Sequence, residues 1–102
     1  MSIHSRLRWV WDPAKAKANE SAHGVAFAVA AMVLEDDRAV TREDPDSIGE
    51  QRFVTLGMSG SGRCLVVVYV WRGPATVRLI SAWRANTRQR RFYGQGRGRT
   101  LS

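Results

Sequence analysis

The sequence predicts a small single domain of the α+β class, in which an antiparallel β-sheet meander packs against two N-terminal helices and a short C-terminal helix follows. A chain of 102 residues with 44% apolar residues is long enough for one modest core. Helix-compatible segments precede residue 35, and three β-rich runs joined by short turns follow residue 51. We take residues 1–93 as the domain and residues 94–102, rich in Gly and Arg, as a flexible tail.

The first predicted elements are a strand and two helices. Residues 6–11 begin with polar and apolar residues in alternation, which is typical of a short strand. Asp12 as N-cap and Pro13 in the first helical position begin a helix that Gly24 ends. Residues 25–34 are the longest apolar run and predict a second, mostly buried helix. This run is too short to cross a bilayer, so we expect no membrane association.

The rest of the chain predicts the sheet and the last helix. Residues 35–51 are acidic and contain Pro45 and Gly49, so they are expected to form a loop with at most a short strand around residues 39–41. Strands are predicted over residues 52–58, 63–72 and 75–84. The middle strand is apolar over residues 64–71 and should be covered on both faces. A final helix is predicted from Asn86 or Thr87 to about Tyr93.

The net charge of +7 is distributed unevenly. Residues 35–50 contain seven acidic residues and two arginines, whereas residues 51–102 contain ten arginines and no Asp, Glu or Lys. Arginines without local carboxylates need either the acidic segment or an anionic partner, and the guanidinium group fits phosphate well. Nucleic acid is therefore the first candidate partner and an acidic protein the second.

Metal, cofactor and thiol chemistry find little support in the sequence. His4 and His23 are far apart and lack metal-ligand spacing, and the acidic residues of 35–50 lack the glycine of a calcium loop. Cys64 is the only cysteine, which excludes an intrachain disulfide, and it is expected to be a small packing residue. We expect no metal, no cofactor and a cytoplasmic protein.

Simple alternation places several arginines on one surface. Along the third strand, Arg78 and Arg84 are predicted to share a face, and Arg72 ends the neighbouring strand. Arg88 and Arg91 lie on the helix that follows. Together they predict one basic surface at an end of the sheet, which would bind a polyanion or an acidic partner rather than serve only for solubility.

Such a surface could cleave RNA without a metal. The 2′-hydroxyl would attack its own phosphate, which requires a base, cations for the developing charge and an acid for the leaving 5′-oxygen. His23, Lys15 and Tyr69 are the candidates for proton transfer. His23 could equally be a residue that ends a helix before Gly24, and Tyr69 could be a core residue. The four tryptophans are expected mainly in the core, although an exposed one could stack on a base.

Several segments together resemble the BrnT family of toxins. They match in order and spacing over residues 9–93: Trp11-Asp12-Pro13-Ala14-Lys15, Asn19, His23-Gly24-Val25, Arg52-Phe53-Val54-Thr55-Leu56-Gly57, Tyr69, Ile80-Ser81-Ala82 and an arginine-rich helix ending in Tyr93. The resemblance implies a ribonuclease with a RelE-like fold that is the toxin of a bacterial type II toxin–antitoxin pair. It also implies neutralisation by a BrnA-like antitoxin that itself binds operator DNA.

The chain departs from the family pattern at three positions. Ala22 stands where the family usually has Lys, Trp83 where it usually has Arg, and Gln89 where Glu is common. Arg84 follows Trp83 and is a candidate to replace the missing cation. The departures leave open a weakened toxin that still binds its antitoxin.

The sequence therefore predicts a metal-independent endoribonuclease that cleaves RNA and inhibits translation. The alternatives are a non-catalytic module that docks a BrnA-like antitoxin or nucleic acid through its basic face, and a remnant without activity. Operator DNA is expected to be contacted only through the antitoxin. The predicted catalytic residues are Lys15, His23, Arg72, Arg78 and Arg84, and the predicted RNA-binding residues are Arg52, Tyr69, Arg88 and Arg91.

Overall fold

The computed structural model describes the backbone of residues 7–99 and the side chains of residues 7–95. Residues 1–6 and 100–102 lie outside the described residues, and with them the start of the predicted first strand and the end of the predicted tail. The α+β class is confirmed. The elements are β1 (Arg8–Val10), α1 (Pro13–His23), α2 (Phe27–Ala31), a 3-10 helix (Met32–Glu35), β2 (Val40–Glu43), β3 (Phe53–Met58), β4 (Cys64–Trp71), β5 (Thr76–Arg84) and α3 (Thr87–Arg99).

One sheet holds all five described strands, in the order β1-β5-β4-β3-β2. Strands β3 to β5 form the predicted antiparallel meander, and β2, which lies in the predicted acidic loop, extends it by pairing with β3. The sheet is nevertheless mixed, because β1 pairs in parallel with the start of β5, from Arg8 opposite Thr76 to Val10 opposite Arg78. A parallel neighbour requires a long crossover, and α1, α2 and the first strands of the meander supply it.

The two faces of the sheet differ in what covers them. We call one the helix face: Leu65, Val67 and Tyr69 of β4 point towards α1 and α2 and belong to the main core. We call the other the arginine face: it carries Val66, Val68 and Val70, and the pairing register places Arg42 and Arg78 on it. Helix α3 covers only the end of this face around Val66, where Tyr93 packs. Strand β4 is buried over Cys64–Val70, as its apolar sequence predicts.

The N-terminal helices follow the predicted signals with one difference. Asp12 accepts a 2.8 Å hydrogen bond from Ala14 N, and Gly24 ends α1 with φ 69°, in the left-handed region that favours glycine. The second predicted helix is divided, because the α-helix ends at Ala31 and a tighter 3-10 helix continues to Glu35. This 3-10 helix lies directly on β3: a Cβ at Gly57 would be 2.9 Å from Val33 Cγ1.

A bulge interrupts the alternation of β5. Val68 pairs with Ser81 and Tyr69 with Leu79, so Ile80 is an extra residue without a partner in β4. Side chains after the bulge change faces: Ala82 joins the main core with Leu79, whereas Trp83 packs beside α3. Arg78 and Arg84 therefore lie on opposite faces, and the prediction that they share one is wrong.

Helix α3 is longer than its predicted extent. Asn86 and Gln89 exchange two 2.8 Å hydrogen bonds between side chain and backbone, which form a capping box at its start. The helix continues past Tyr93 to Arg99, through part of the segment predicted as a flexible tail. No helix in the described part of the chain has the length and hydropathy needed to cross a membrane.

Candidate nucleic-acid interface

Three arginines lie at one end of the arginine face: Arg52 directly before β3, Arg72 directly after β4 and Arg78 within β5. Arg78 pairs directly with Val70, and Arg52 immediately precedes Phe53, the partner of Tyr69, so the register places Arg52 on the other side of Val70. Adjacent strands are about 4.8 Å apart, which puts the two arginines at about twice that spacing. The arrangement offers two guanidinium groups to one extended anion.

Arg72 and Arg78 also line a shallow cavity of about 360 Å³ with Val10, Trp11 and Asp12. The cavity lies where the β4–β5 hairpin meets the beginning of α1. Parallel pairing of β1 with β5 is what brings Asp12, two residues after the end of β1, next to Arg78. The fold thus joins the predicted helix cap to two of the predicted phosphate-binding arginines.

Part of the acidic segment supplies counter-ions to this end. Both guanidinium nitrogens of Arg72 contact the Glu50 carboxylate, the longer contact being 3.3 Å from Nη2 to Oε1. Arg52 forms a 3.3 Å ion pair with Asp44. Arg78 has no ion pair with any described residue. Exposed ion pairs contribute little to stability, so a phosphate can displace the Glu50 carboxylate from Arg72 at low cost.

The predicted catalytic residues fall into two groups at opposite ends of α1. Lys15 is exposed in the first turn of α1, one turn beyond Asp12. It therefore lies at the end of α1 that is nearer to Arg72 and Arg78. His23 is the last residue of α1, about 12 Å further along the helix axis. Its ring centroid lies 6.2 Å from that of Trp83. The five predicted catalytic residues therefore do not form one cluster.

Two predicted site residues lie away from the arginines. Arg84 is exposed but points to the helix face, because of the bulge. Tyr69 is only 5% exposed on the helix face, where its hydroxyl is hydrogen-bonded at 2.8 Å to that of Thr55. Thr55 is in turn hydrogen-bonded to Thr41 at 2.8 Å. Tyr69 is a core residue, so the prediction that it contacts RNA is wrong.

The arginines of α3 lie beside the covered end of the arginine face. Arg88 lines a cavity of about 340 Å³ between α3 and the sheet, together with Arg42, Gln89 and Phe92. Arg91 is exposed on the same helix. These side chains can extend a basic surface, but they are separate from the cavity at Arg72 and Arg78.

Asn19 fixes α1 against the sheet and thereby positions Lys15 and His23. Its side chain is 7% exposed, and it accepts a hydrogen bond from Ala82 N at 3.1 Å. Its amide nitrogen donates to Ala82 O at 2.9 Å and to Val25 O at 3.0 Å. One side chain thus pairs with β5 as a neighbouring strand would. Residue type alone gave no indication of this role.

Asp36 attaches the C-terminal helix to the other side of the domain. Its Oδ2 accepts a 2.6 Å hydrogen bond from the Tyr93 hydroxyl and a 2.8 Å bond from Met58 N. Burial alone would raise the pKa of Asp36, but these hydrogen bonds and that from Arg38 N outweigh it, so the pKa lies below its ordinary value. Burial also raises the pKa of the nearby Cys64 thiol, despite the opposing charge of Arg90.

Comparison with known proteins gives the family of this chain. The family model described as "Ribonuclease toxin, BrnT, of type II toxin-antitoxin system" matches residues 11–89. The chain belongs to the BrnT family. The fold is similar to the crystal structure of the Brucella abortus ribonuclease toxin BrnT, with a TM-score of 0.60 and 20% sequence identity over 79% of this chain and 99% of that one. No curated protein sequence is significantly similar.

Within the BrnT fold, the three departures from the family pattern have different surroundings. Trp83 lies on the arginine face next to His23, and Arg84 points away from it, so Arg84 does not replace the missing cation. The side chain of Gln89 accepts a hydrogen bond from Asn86 N in the capping box of α3. Ala22 is exposed in the last turn of α1. Sequence reasoning also missed Glu50, which it treated only as part of the acidic segment and which only the tertiary fold brings to Arg72.

Proposed function

We propose that this BrnT-family chain is a metal-independent endoribonuclease that cleaves RNA and thereby inhibits translation. The observation that carries the proposal is the cavity shared by Arg72 and Arg78, with the Glu50 carboxylate beside it. Two guanidinium groups can hold the non-bridging oxygens of one phosphate, and a carboxylate within reach can accept a proton. These are the groups that RNA cleavage without a metal requires.

The reaction consists of an in-line displacement at phosphorus. The 2′-oxygen loses its proton to the base and bonds to phosphorus, while the bond from phosphorus to the 5′-oxygen breaks and that oxygen receives a proton from the acid. The products are a 2′,3′-cyclic phosphate and a free 5′-hydroxyl. Arg72 and Arg78 stabilise the charge that develops on the phosphorane oxygens.

Roles follow from position along α1 and β5. We assign Glu50 as general base and Lys15, at the same end of α1 as the arginine pair, as general acid. Arg78 and Trp83 pair with Val70 and Val66, which are four residues apart in β4, or about 13 Å at 3.3 Å per residue, so His23 beside Trp83 is too far from Arg78 to act on the same phosphate. Arg84 lies on the other face and is left out of the site.

An antitoxin partner follows from membership of a type II toxin family. We propose that a BrnA-like antitoxin binds this chain, that it alone brings operator DNA into the complex, and that the toxin acts in the cytoplasm, where RNA and antitoxin are found. The alternative, a weakened module that mainly docks its antitoxin or nucleic acid, is favoured by one observation. Trp83 leaves the arginine face with one cation fewer than the family pattern provides.

Purified chain free of antitoxin tests the proposal. We expect it to cut a labelled RNA in the presence of EDTA and to leave 2′,3′-cyclic phosphate ends. Glu50→Gln should lower the rate at least about 100-fold, as expected for a lost general base. Intact RNA after incubation with folded protein, or cleavage that EDTA abolishes, would contradict the proposal and favour the docking alternative.

A further inference from the structure

We infer that Trp83 is a stacking platform for an unpaired nucleobase of the bound RNA, with His23 at its side. The inference deepens the proposed function and rests on it, because it assigns a base-binding position to the same RNA that Arg72 and Arg78 hold by phosphate. Trp83 stands at a position where the family pattern usually has Arg.

Register places Trp83 on the same face as the arginines. Trp83 pairs with Val66 and Arg78 with Val70, both on the arginine face, and the bulge at Ile80 lies between them. Without the extra residue, Trp83 would point to the helix face with Leu79. The bulge therefore aligns an aromatic ring with the phosphate-binding arginines.

The Trp83 side chain is held by packing and remains partly exposed. Trp83 is partly buried against the cluster that contains Val66, Ala85 and Tyr93, which fixes its orientation. Its indole N–H has no hydrogen bond among the described residues and is not a buried unpaired group, so it reaches solvent and can donate to a base. A partly exposed ring that packing holds in place can bind a base of single-stranded nucleic acid.

His23 completes an open aromatic corner. The ring of this exposed residue is inclined by 50° to Trp83 at a centroid distance of 6.2 Å, so the rings contact each other at an angle without covering each other's faces. A base stacked on Trp83 would lie close to the exposed imidazole of His23. The distance of about 13 Å between Arg78 and Trp83 along the sheet allows a short run of nucleotides to contact both sites.

Trp71 provides the comparison within the same molecule. It is 42% exposed, more accessible than Trp83, but pairs with Val77 on the helix face. The cleft that it lines, of about 720 Å³, also contains Asp36 and Asp37 and no arginine. An RNA phosphate is repelled there, so Trp71 serves as a matched control for an exposed tryptophan outside the RNA path.

The test uses two uncleavable ligands of equal charge: a fluorescent 2′-O-methyl oligouridine octamer and the same backbone with abasic sites. Binding is measured by anisotropy at fixed salt. We expect the wild type to bind the base-containing ligand about fivefold or more tightly than the abasic one. Trp83→Leu should abolish this ratio, Trp83→Phe should retain most of it and Trp71→Leu should leave it unchanged.

Two results would overturn the inference: a base-dependent ratio that persists in folded Trp83→Leu, or one that Trp71→Leu removes. If Trp83→Leu does not fold by circular dichroism, Trp83→Met gives the same comparison, because its side chain is also uncharged and non-aromatic. Failure of the proposed function is distinguishable. The wild type would then bind the octamer with its base-dependent ratio and still leave unmodified RNA uncut.

Discussion

The two faces of the sheet share the same central strand and serve different purposes. On the helix face, Leu65, Val67 and Tyr69 are sealed beneath α1 and α2, and even the Tyr69 hydroxyl has its partner inside the core. On the arginine face, Val70 lies between Arg52 and Arg78, and α3 covers only one end. The period of two along a strand thus separates residues needed for stability from residues available for binding.

The sharpest test of this division compares two arginines of β5. Arg78→Ala should lower the rate of RNA cleavage about 100-fold or more, because it removes a cation from the developing phosphorane. Arg84→Ala, with the same charge change on the helix face, should lower it less than about threefold, the effect of a distant surface charge. Initial rates on a labelled RNA measure both. Equal losses would mean that substrate contacts both faces.

The attachment of α1 to the sheet on the helix face depends strongly on Asn19. Asn19→Ala leaves Ala82 N, Ala82 O and Val25 O without their partner, so we expect a loss of about 2–3 kcal/mol in the free energy of unfolding by urea. Asn86→Ala is the matched control, since it removes an exposed helix cap and should lose about 1 kcal/mol. A smaller loss for Asn19→Ala than for Asn86→Ala would refute the role of Asn19.

The reactivity of the Cys64 thiol measures whether α3 excludes solvent from the end of the arginine face that it covers. Its thiol is buried under α3 and its pKa is raised above the ordinary value by that burial. Alkylation by iodoacetamide at pH 8 should therefore be at least about tenfold slower in the native protein than in urea, since only the thiolate reacts. Mass spectrometry follows the modification. Equal rates in both states would show that α3 leaves this end open.

The smallest expected effect concerns the attachment of α3 by Asp36. The folded-state pKa of Asp36 is below its unfolded value, so its contribution to stability is present above pH 3.8 and is lost as the pH falls through the folded pKa. Asp36→Asn should cost about 1 kcal/mol at pH 7 and flatten the loss of stability below pH 4. Asp37→Asn, an exposed neighbour, should leave the pH profile of urea unfolding as in the wild type. An unchanged profile in Asp36→Asn would remove Asp36 from this role.

Local sequence signals were sufficient for most of the fold. Asp12, Pro13 and Gly24 set the bounds of α1 through capping and backbone preferences that depend on few neighbours. The apolar run of β4 predicted a strand covered on both faces, and it is buried over Cys64–Val70. These features are local or compositional, so a single sequence contains them.

The site depended on pairing between distant segments, which the sequence does not display. Ile80 fits simple alternation, and only its missing partner in β4 reveals the bulge that moves Arg84 to the other face. Likewise, the parallel pairing of β1 is what brings Asp12 to Arg78. The arginines were correctly chosen as a class, but their grouping required the register.

The amide of Asn19 has a further consequence for how the protein behaves in solution. Beyond Arg78 the outer edge of β5 has no strand neighbour among the described elements, and exposed edges of this kind recruit strands from other molecules. By occupying the donor and the acceptor of Ala82, Asn19 closes that edge with a side chain instead of a sixth strand. The residue that holds α1 in place therefore also blocks the addition of another strand at Ala82.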